Sequence, residues 1–338
     1  MGIGNLRSGM TSLTLGNLPL ASPVLLAPMA GYTDLPFRLV VRSFGGLGLA
    51  FTEMLNPTSL LHGGGKKKKW LLATQPDDSP LGFQIYGKDP ALMAEAAKWL
   101  EDRGAVLVDI NMGCPQRKIS ARGAGAGLLR TPAKAVEIAE QVVKAVKIPV
   151  AVKLRLGWDN AAVAAELAAH LEKTGVAAIT VHGRTRAQGF GGKSDLEAIR
   201  QVRESVRRIP VIANGDVVSV ATAREVLEKT ACAGLMIGRQ ALKEPWIIRD
   251  VARDMRKEPP LPLPTPQERV GLFERHFARS AEMYGERLTV VLFRKWVPQY
   301  LRGFAVDRAT LASLQQIIEA ASLIERVSVV MLSSAGPA

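Results

Sequence analysis

The chain has 338 residues, 47% of them hydrophobic and 22% charged, which is enough apolar material for a folded core and excludes a disordered polyampholyte. Its two cysteines cannot form a disulfide framework and favour a cytoplasmic location, and no apolar run is long enough to cross a membrane. The 44 basic residues exceed the 31 acidic ones, giving a net charge of +13. Such an excess indicates either solubility alone or a polyanionic partner.

Short apolar runs alternate with amphipathic stretches from residue 24 to about residue 240. The predicted strands are Val24–Ala27, Leu49–Glu53, Leu81–Tyr86, Val106–Asn111, Val150–Arg155, Ala178–His182, Val211–Asn214 and Leu235–Ile237. The helices predicted between them include Pro90–Arg103, Pro132–Val146, Ala161–Thr174, Leu196–Val206 and Val220–Lys229. Eight strands alternating with helices predict an α/β fold of the (β/α)8 TIM-barrel type, with a doubly wound parallel sheet as the alternative.

The pattern changes at the proline-rich segment Glu258–Pro266, which suits neither a helix nor a central strand. Thr265 before Pro266 is typical of a helix start. The stretches beyond it are helical in period, and the predicted helices are Gln267–Gly285, Thr289–Arg302 and Ala309–Met331. We therefore expect a barrel over residues 1–258 and a small helical domain over residues 259–338.

Residues that follow the barrel strands are the candidates for function, because active sites of this fold lie at the carboxyl ends of the strands. After the first strand, Ala27, Pro28 and Met29 permit close approach of a flat ligand, or simply form a tight turn. Gln84 in the third strand needs hydrogen-bond partners, which either a flavin or pyrimidine edge or a neighbouring strand would supply.

The fourth and fifth strands carry a thiol, an amide and an amine. Cys114 follows the fourth strand, whereas Cys232 precedes the eighth and so lies at the other end of the barrel. Cys114 is either a reactive group or an inert small side chain, and Asn111 either orients a heterocycle or caps the loop. Lys153 lies within an apolar strand and needs an anionic partner, which a reduced cofactor or a structural ion pair would provide.

The last three strand ends predict a phosphate site. His182 is a hydrogen-bond donor or an acid/base, and Arg184 and Arg186 suit phosphate. Glycine-containing loops after the seventh and eighth strands are the usual phosphate site of such barrels, and these loops contain Asn214, Gly215, Asp216, Gly238 and Arg239. The four histidines show no metal-ligand spacing, so no metal is expected.

Together these segments resemble the tRNA-dihydrouridine synthases, most closely the bacterial B-type branch. The resemblance runs from about Leu20 to Phe304. Its motifs, in family order, are APMAGYTD, FTEM, FQIYG, DINMGCP, GAGAGLL, VKLRLGW, HGRTR, ANGD and MIGRQALKEPW. Nine motifs in the same order are far more specific than any one of them.

The resemblance implies a tightly bound FMN, NADPH as a transient reductant, and reduction of the C5=C6 bond of particular uridines in tRNA. Cys114 matches the family's catalytic acid, which protonates C5 after hydride from flavin N5 adds at C6. Asn111 matches the asparagine near the target base. The residues implied to hold FMN are Ala27, Pro28, Met29, Gln84, Lys153, His182, Asn214, Gly215, Asp216, Gly238 and Arg239.

The expected RNA contacts are basic. The C-terminal helices match the family's tRNA-binding domain, with Arg294 and Lys295 near its start. At the predicted active-site face, three loops are rich in lysine and arginine: Lys66–Lys69, then Arg117, Lys118, Arg122 and Arg130, then Arg184, Arg186 and Lys193. This clustering favours an RNA partner over a charge that serves solubility alone.

Two alternative functions remain open at this level. One is an FMN barrel oxidoreductase acting on a free pyrimidine or another small molecule, and the other is an RNA-binding protein whose reductase activity is secondary. The sequence does not specify which uridines or tRNAs are modified, nor the oligomeric state, and it is compatible with a monomer.

Overall fold

A computed structural model describes residues 12–333 of the chain and contains a parallel barrel. The barrel strands are β3 (Val24–Leu26), β4 (Ala50–Phe51), β5 (Leu81–Ile85), β6 (Leu107–Met112), β7 (Val150–Arg155), β8 (Ala178–His182), β9 (Val211–Asn214) and β10 (Gly234–Ile237). They pair in the order β3-β10-β9-β8-β7-β6-β5-β4, and a parallel bridge between Leu25 and Leu49 links the two ends. The predicted (β/α)8 fold is confirmed, with every strand end within two residues of its predicted position.

Helices surround the strands. They are α1 (Leu35–Arg42), α2 (Pro57–Leu61), α3 (Lys66–Leu71), α4 (Pro90–Glu101), α5 (Arg117–Ser120), α6 (Pro132–Ala145), α7 (Val163–Lys173), α8 (Leu196–Ser205), α9 (Val220–Thr230), α10 (Arg239–Lys243) and α11 (Ile247–Met255). Short 3-10 turns cover Pro76–Asp78 and Gly125–Arg130. The five predicted barrel helices are confirmed within two residues. Local signals set their starts, since Asp89 caps α4, Asp195 caps α8 and Ser219 forms a capping box on α9.

Two apolar cores lie on opposite sides of the strands. The larger one packs between strands and helices, and the smaller one fills the inside of the barrel. An antiparallel hairpin, β1 (Leu13–Leu15) and β2 (Leu18–Leu20), adds leucines to this inner core. This hairpin was not predicted from the sequence, although its Gly16–Asn17 turn, with Gly16 at φ +62°, is a recognisable signal.

Between residues 266 and 333 the structure contains five helices rather than the three predicted. They are α12 (Pro266–Tyr284), α13 (Glu286–Phe293), α14 (Val297–Tyr300), α15 (Arg308–Gln316) and α16 (Ala320–Ser333). The first of the three predictions is confirmed by α12, which begins with the Thr265–Glu268 capping box.

The single helix predicted over Thr289–Arg302 is wrong, because one helix ends at Phe293 and Pro298 lies in the first turn of the next. A proline within a helix cannot donate to the carbonyl four residues earlier, here that of Arg294. The side-chain amide of Gln315 donates to that carbonyl instead, at 2.6 Å. The chain turns at Arg294–Trp296 and resumes as α14.

The helix predicted over Ala309–Met331 is also two helices. Ile317 ends α15 in an extended conformation, and α16 begins at Ala320. The two helices pack on different neighbours, α15 on α14 and α16 mainly on α12. One straight helix could not make both contacts, so tertiary packing overrides the continuous helical period.

Within residues 12–333, no helix is long and apolar enough to cross a membrane. Over the same part of the chain, His, Cys, Asp and Glu side chains form no group of three that could hold a metal ion.

Candidate active site

A cavity of about 710 Å³ opens at the carboxyl ends of the barrel strands. Every residue predicted from the resemblance to hold a cofactor lines it, from Ala27 in the first loop to Arg239 after the last strand. Asn111 and Cys114 line it as well. The fold therefore brings into one cavity residues that are separated by more than two hundred positions in the sequence.

Strand register explains why the polar side chains meet. Neighbouring strands pair Gln84 with Asp109, Asn111 with Lys153, and His182 with both Arg155 and Asn214. Because paired residues of parallel strands point to the same side of the sheet, these groups form a polar belt at the top of the apolar barrel core.

Lys153 is held at the floor of the cavity. Its Nζ donates to Oδ1 of Asn214 at 2.9 Å, and Nδ2 of Asn214 donates to the Met236 carbonyl at 2.7 Å. Burial lowers the pKa of Lys153 to about 8, with Arg155 acting in the same direction and Asp109 opposing it. The amine is therefore still mostly protonated at pH 7, and the cavity contains a fixed cation.

His182 is uncharged, so it is a hydrogen-bonding group and not an acid. Burial, reinforced by Lys153 and neighbouring arginines, lowers its pKa to about 2. Arg184 approaches Nε2 of the ring at 3.4 Å, and because arginine only donates, Nε2 accepts and the proton lies on Nδ1. Of the two roles open from the sequence, hydrogen bonding is the one that this environment supports.

The Cys114 loop is capped by Asn111. Oδ1 of Asn111 accepts from the backbone N–H of Gly113 at 3.1 Å and of Cys114 at 2.9 Å, while the Cys114 carbonyl accepts from Ala126. Burial raises the pKa of the half-buried Cys114 thiol above its ordinary value of 9.0. The thiol therefore carries its proton at neutral pH, as a proton donor must.

The raised pKa of Cys114 predicts how the alkylation rate of this thiol depends on pH. Only the thiolate is alkylated, so the rate of Cys114 alkylation by iodoacetamide should increase with pH through a midpoint above 9. Mass spectrometry of the modified peptide measures it, and Cys232 should be modified far more slowly because it is buried with its pKa raised to about 11. A Cys114 midpoint below 8 would contradict this assignment.

The loops after β9 and β10 lie at one side of the cavity. Gly215 has a φ of +124°, and a Cβ there would lie 2.7 Å from the Ser194 hydroxyl, so only glycine fits. The Asp216 carboxylate accepts from Arg184 at 2.7 Å and from the Ser194 N–H at 2.8 Å, which ties this loop to the one after β8. Arg239 is exposed, makes a longer contact of 3.3 Å with Asp216, and lies 5.0 Å from the ring of Phe190.

Comparison with known proteins agrees with this arrangement. The model of the dihydrouridine synthase family (Dus) matches residues 25–334. The chain belongs to the dihydrouridine synthase family. It is 41% identical over 297 residues to the tRNA-dihydrouridine synthase B of Pseudomonas aeruginosa, covering 86% of this chain and 87% of that protein. The probable tRNA-dihydrouridine synthase of Rickettsia bellii is 39% identical over 295 residues, covering 86% and 89% of the two chains.

Solved structures support the fold. Morphinone reductase matches with a TM-score of 0.54 at 15% identity, over 78% of this chain and 94% of that one. At this identity the likeness concerns the barrel alone.

The position of Arg184 in this dihydrouridine synthase requires a correction. The sequence analysis placed it among RNA-binding residues, but its side chain is buried. Its donors are used within the protein, by the carbonyls of Gly191 at 2.9 Å and Gly192 at 2.6 Å and by Asp216. Arg184 thus holds the loop after β8 in place, and an RNA phosphate cannot reach it without disrupting that loop.

Replacing Arg184 with methionine should destabilise the protein. The change leaves the carbonyls of Gly191 and Gly192 without this donor and removes the buried ion-pair partner of Asp216, and we expect a loss of about 3 kcal/mol in the free energy of unfolding. Chemical denaturation measures this loss, and Arg207→Met, at an exposed position, should change stability by less than about 0.5 kcal/mol. Equal stability of the two variants would contradict the structural role of Arg184.

The other predicted RNA contacts differ in exposure. Arg117, Lys118 and Arg294 are exposed, and Arg186 is half-buried with its guanidinium 4.4 Å from the Trp158 ring. Lys295 is half-buried, and its amine donates to the Gly31 carbonyl and lies against Tyr32. Lys295 therefore joins the helical region to the first barrel loop, and its contact with RNA stays a prediction.

The basic loops do not all surround the cavity. Lys66–Lys69 belong to α3, and none of them lines the cavity. Lys68 lies 4.8 Å from the ring of Trp99, near the far end of α4, and Arg103 contacts the same ring at 3.7 Å. Arg130 belongs to a different loop, the one after β6, and its guanidinium lies 5.2 Å from the ring of Trp158.

The residues at the cavity that were not predicted from the sequence include Asp109, Arg155, Phe190 and Gln299. Asp109 lies directly beneath the lining residue Gln84, and the other three line the cavity themselves. Asp109 and Arg155 had the signal that identified Lys153, a charge inside an apolar strand. Phe190 and Gln299 have no such signal, because their positions depend on a loop conformation and on docking of the helical region.

Proposed function

We propose that this protein is an FMN-dependent tRNA-dihydrouridine synthase that reduces the C5=C6 bond of particular uridines in tRNA, with NADPH as a transient reductant. One observation carries the proposal: Cys114 and Lys153 line the same cavity. The Cys114 thiol is protonated there, Lys153 is a cation, and the chain belongs to the dihydrouridine synthase family. An inactive RNA-binding protein would have no need of this arrangement.

The residues of the cavity fit FMN. Gln84, Lys153, His182 and Asn214 offer amide, ammonium and imidazole groups, which match the alternating donors and acceptors of a flavin pyrimidine edge. On one side, the backbone N–H groups after β9 and β10 and the exposed guanidinium of Arg239 would hold the phosphate. The small residues Ala27 and Pro28, with Met29, leave room for a flat ring.

FMN, when reduced, supplies the hydride for C6 of uracil. The chain's own residues supply the rest. Sγ of Cys114 holds the proton that C5 receives, and burial keeps it there at neutral pH. Lys153 would provide a fixed positive charge beside the negative charge that develops in the reaction, and its buried surroundings strengthen that interaction.

The RNA must present its uridine outside the base stack, because a stacked base cannot reach a cavity at the end of a barrel. We assign residues 1–258 to the catalytic barrel and 259–338 to a helical tRNA-binding domain. The position of Gln299 in the cavity wall supports this assignment, since it brings the helical region next to the reacting base. Arg117, Lys118, Arg186 and Arg294 would contact phosphates.

Two measurements test the proposal. The purified protein should be yellow and release FMN on denaturation, and tRNA from cells lacking the gene should lose dihydrouridine at specific positions. Mapping of dihydrouridine in tRNA from cells with and without the gene identifies those positions. Turnover of free pyrimidines with no change in tRNA would instead favour a small-molecule oxidoreductase.

Exposed basic residues near the cavity should contribute to RNA affinity. Arg117→Ala and Lys118→Ala should each weaken tRNA binding and reduce the salt dependence of log Kd by about one phosphate contact. Filter binding over a range of salt concentrations measures this. Lys144→Ala, near the C-terminal end of α6 at the other end of the barrel, is the matched control and should leave both quantities unchanged. An equal effect of Lys144→Ala would show that only net charge matters.

A further inference from the structure

A buried carboxylate lies directly beneath the residues of the cavity. Asp109, Gln84 and Asn111 are all buried, and they form a continuous chain of hydrogen bonds. Nε2 of Gln84 donates to Oδ2 of Asp109 at 2.6 Å, and Nδ2 of Asn111 donates to Oε1 of Gln84 at 2.8 Å. Because Oδ1 of Asn111 caps the Cys114 backbone, the chain runs without a break from the carboxylate to the cysteine loop.

The direction of this chain follows from its first member. Above its pKa of about 7 the Asp109 carboxylate is ionised and only accepts hydrogen bonds, so the NH2 group of Gln84 faces Asp109 and its oxygen faces Asn111. That oxygen in turn requires the NH2 group of Asn111, which leaves the Asn111 oxygen for the N–H groups of Gly113 and Cys114. If either amide were flipped, two donors or two acceptors would oppose each other at a buried contact.

We propose that Asp109 is a positioning residue for Cys114, whose carboxylate sets the direction of the two amides and thereby holds the cysteine loop in its reactive place. The importance of that place rests on the proposed function. Asp109 itself touches neither substrate nor cofactor in this scheme, because it acts through Gln84 and Asn111.

The environment of Asp109 supports a specific role. Its second oxygen, Oδ1, is buried and has no hydrogen-bond partner within residues 12–333. Burial raises the pKa of the carboxyl to about 7, opposed by Gln84 and Lys153. An apolar side chain at this position would avoid that penalty, so an ionisable group here needs a compensating function.

A simpler explanation is that Asp109 only balances the charge of Lys153. Two substitutions separate the explanations, because Asp109→Asn keeps an acceptor oxygen for Gln84 but loses the charge, whereas Asp109→Leu loses both. The charges that act on the Cys114 thiol are those of Arg155, Lys153 and Lys118, so alkylation of this thiol reports mainly on the loop.

The experiment measures the rate of Cys114 alkylation by iodoacetamide in the purified protein without RNA. We expect Asp109→Asn to stay within about twofold of the wild type. Asp109→Leu should react about tenfold faster, because loss of one buried hydrogen bond releases the loop and relieves the burial that raises the thiol pKa. Gln84→Leu should match Asp109→Leu, and the double variant should add nothing further.

Asp78→Asn is the control for general destabilisation, since Asp78 is a buried carboxylate paired with Arg38 and Arg42 outside the cavity. It should lower the melting temperature and leave Cys114 alkylation unchanged. The proposal is overturned if Asp109→Asn reacts as fast as Asp109→Leu, if Asp109→Leu reacts like the wild type, or if Asp78→Asn accelerates the reaction equally. Because the assay uses no tRNA, these outcomes are independent of whether dihydrouridine formation is found.

Discussion

Replacing Cys114 with alanine should reduce dihydrouridine formation by about a thousandfold while the protein keeps its flavin. General acids contribute a hundredfold to ten-thousandfold to such reactions, and within residues 12–333 the other cysteine, Cys232, lies buried outside the cavity. The rate is measured on unmodified tRNA with NADPH, and flavin content by the visible spectrum.

Cys232→Ala is the matched control for Cys114→Ala. It removes a thiol of the same size from the outer core, so it should cost only about 1 kcal/mol of stability and leave the rate unchanged. Full activity of Cys114→Ala would remove this residue from the proposed mechanism. Loss of activity together with loss of flavin would point to a collapsed cavity instead.

Replacing Lys153 with methionine should have the second large effect, a loss of flavin and a reduction in activity of at least about a hundredfold. Methionine keeps the length of the side chain but leaves Oδ1 of Asn214 without its donor and Asp109 without its neighbouring cation. The ratio of flavin to protein after purification measures the first effect. The rate with added FMN measures the second.

Lys98→Met is the comparison for Lys153→Met, because Lys98 is an exposed lysine on α4 paired with Glu101 and Asp102. Flavin content and activity should be those of the wild type. If Lys153→Met retains flavin and full activity, the amine serves only the internal contact with Asn214.

The barrel was predictable because its signal is local. Each barrel strand is an apolar run covered on one side by helices and on the other by the inner core, and each predicted helix has the amphipathic period that such covering requires. The strand-end rule then selected the residues of the cavity. Lys153 is the clearest case, because a charged side chain within an apolar strand needs a polar or charged partner, which the strand end can supply.

The C-terminal region was less predictable because its signals compete. The helical period continues through Thr289–Arg302 and through Ile317, yet one helix ends at Phe293 and another at Gln316. At the first break the missing N–H of proline decides, and at the second the packing of α15 and α16 on different helices decides. The division into domains at residue 258 and the cytoplasmic location both stay predictions.

The sequence by itself determined the family through its motifs, and the barrel and many of the side chains at the cavity through the pattern and spacing of its strands. Only the tertiary structure decided which basic residues are bonded within the protein and which remain available to a ligand. Arg184 and Arg186 lie two positions apart in one motif, but Arg184 is committed to Asp216 and to loop carbonyls, whereas Arg186 stacks on Trp158. The hydrogen-bonded series Asp109–Gln84–Asn111 could not be predicted from the sequence for the same physical reason. A polar side chain shows its chemistry in the sequence, but its partners come from other strands and loops, and the partners determine whether it binds a ligand or holds the protein together.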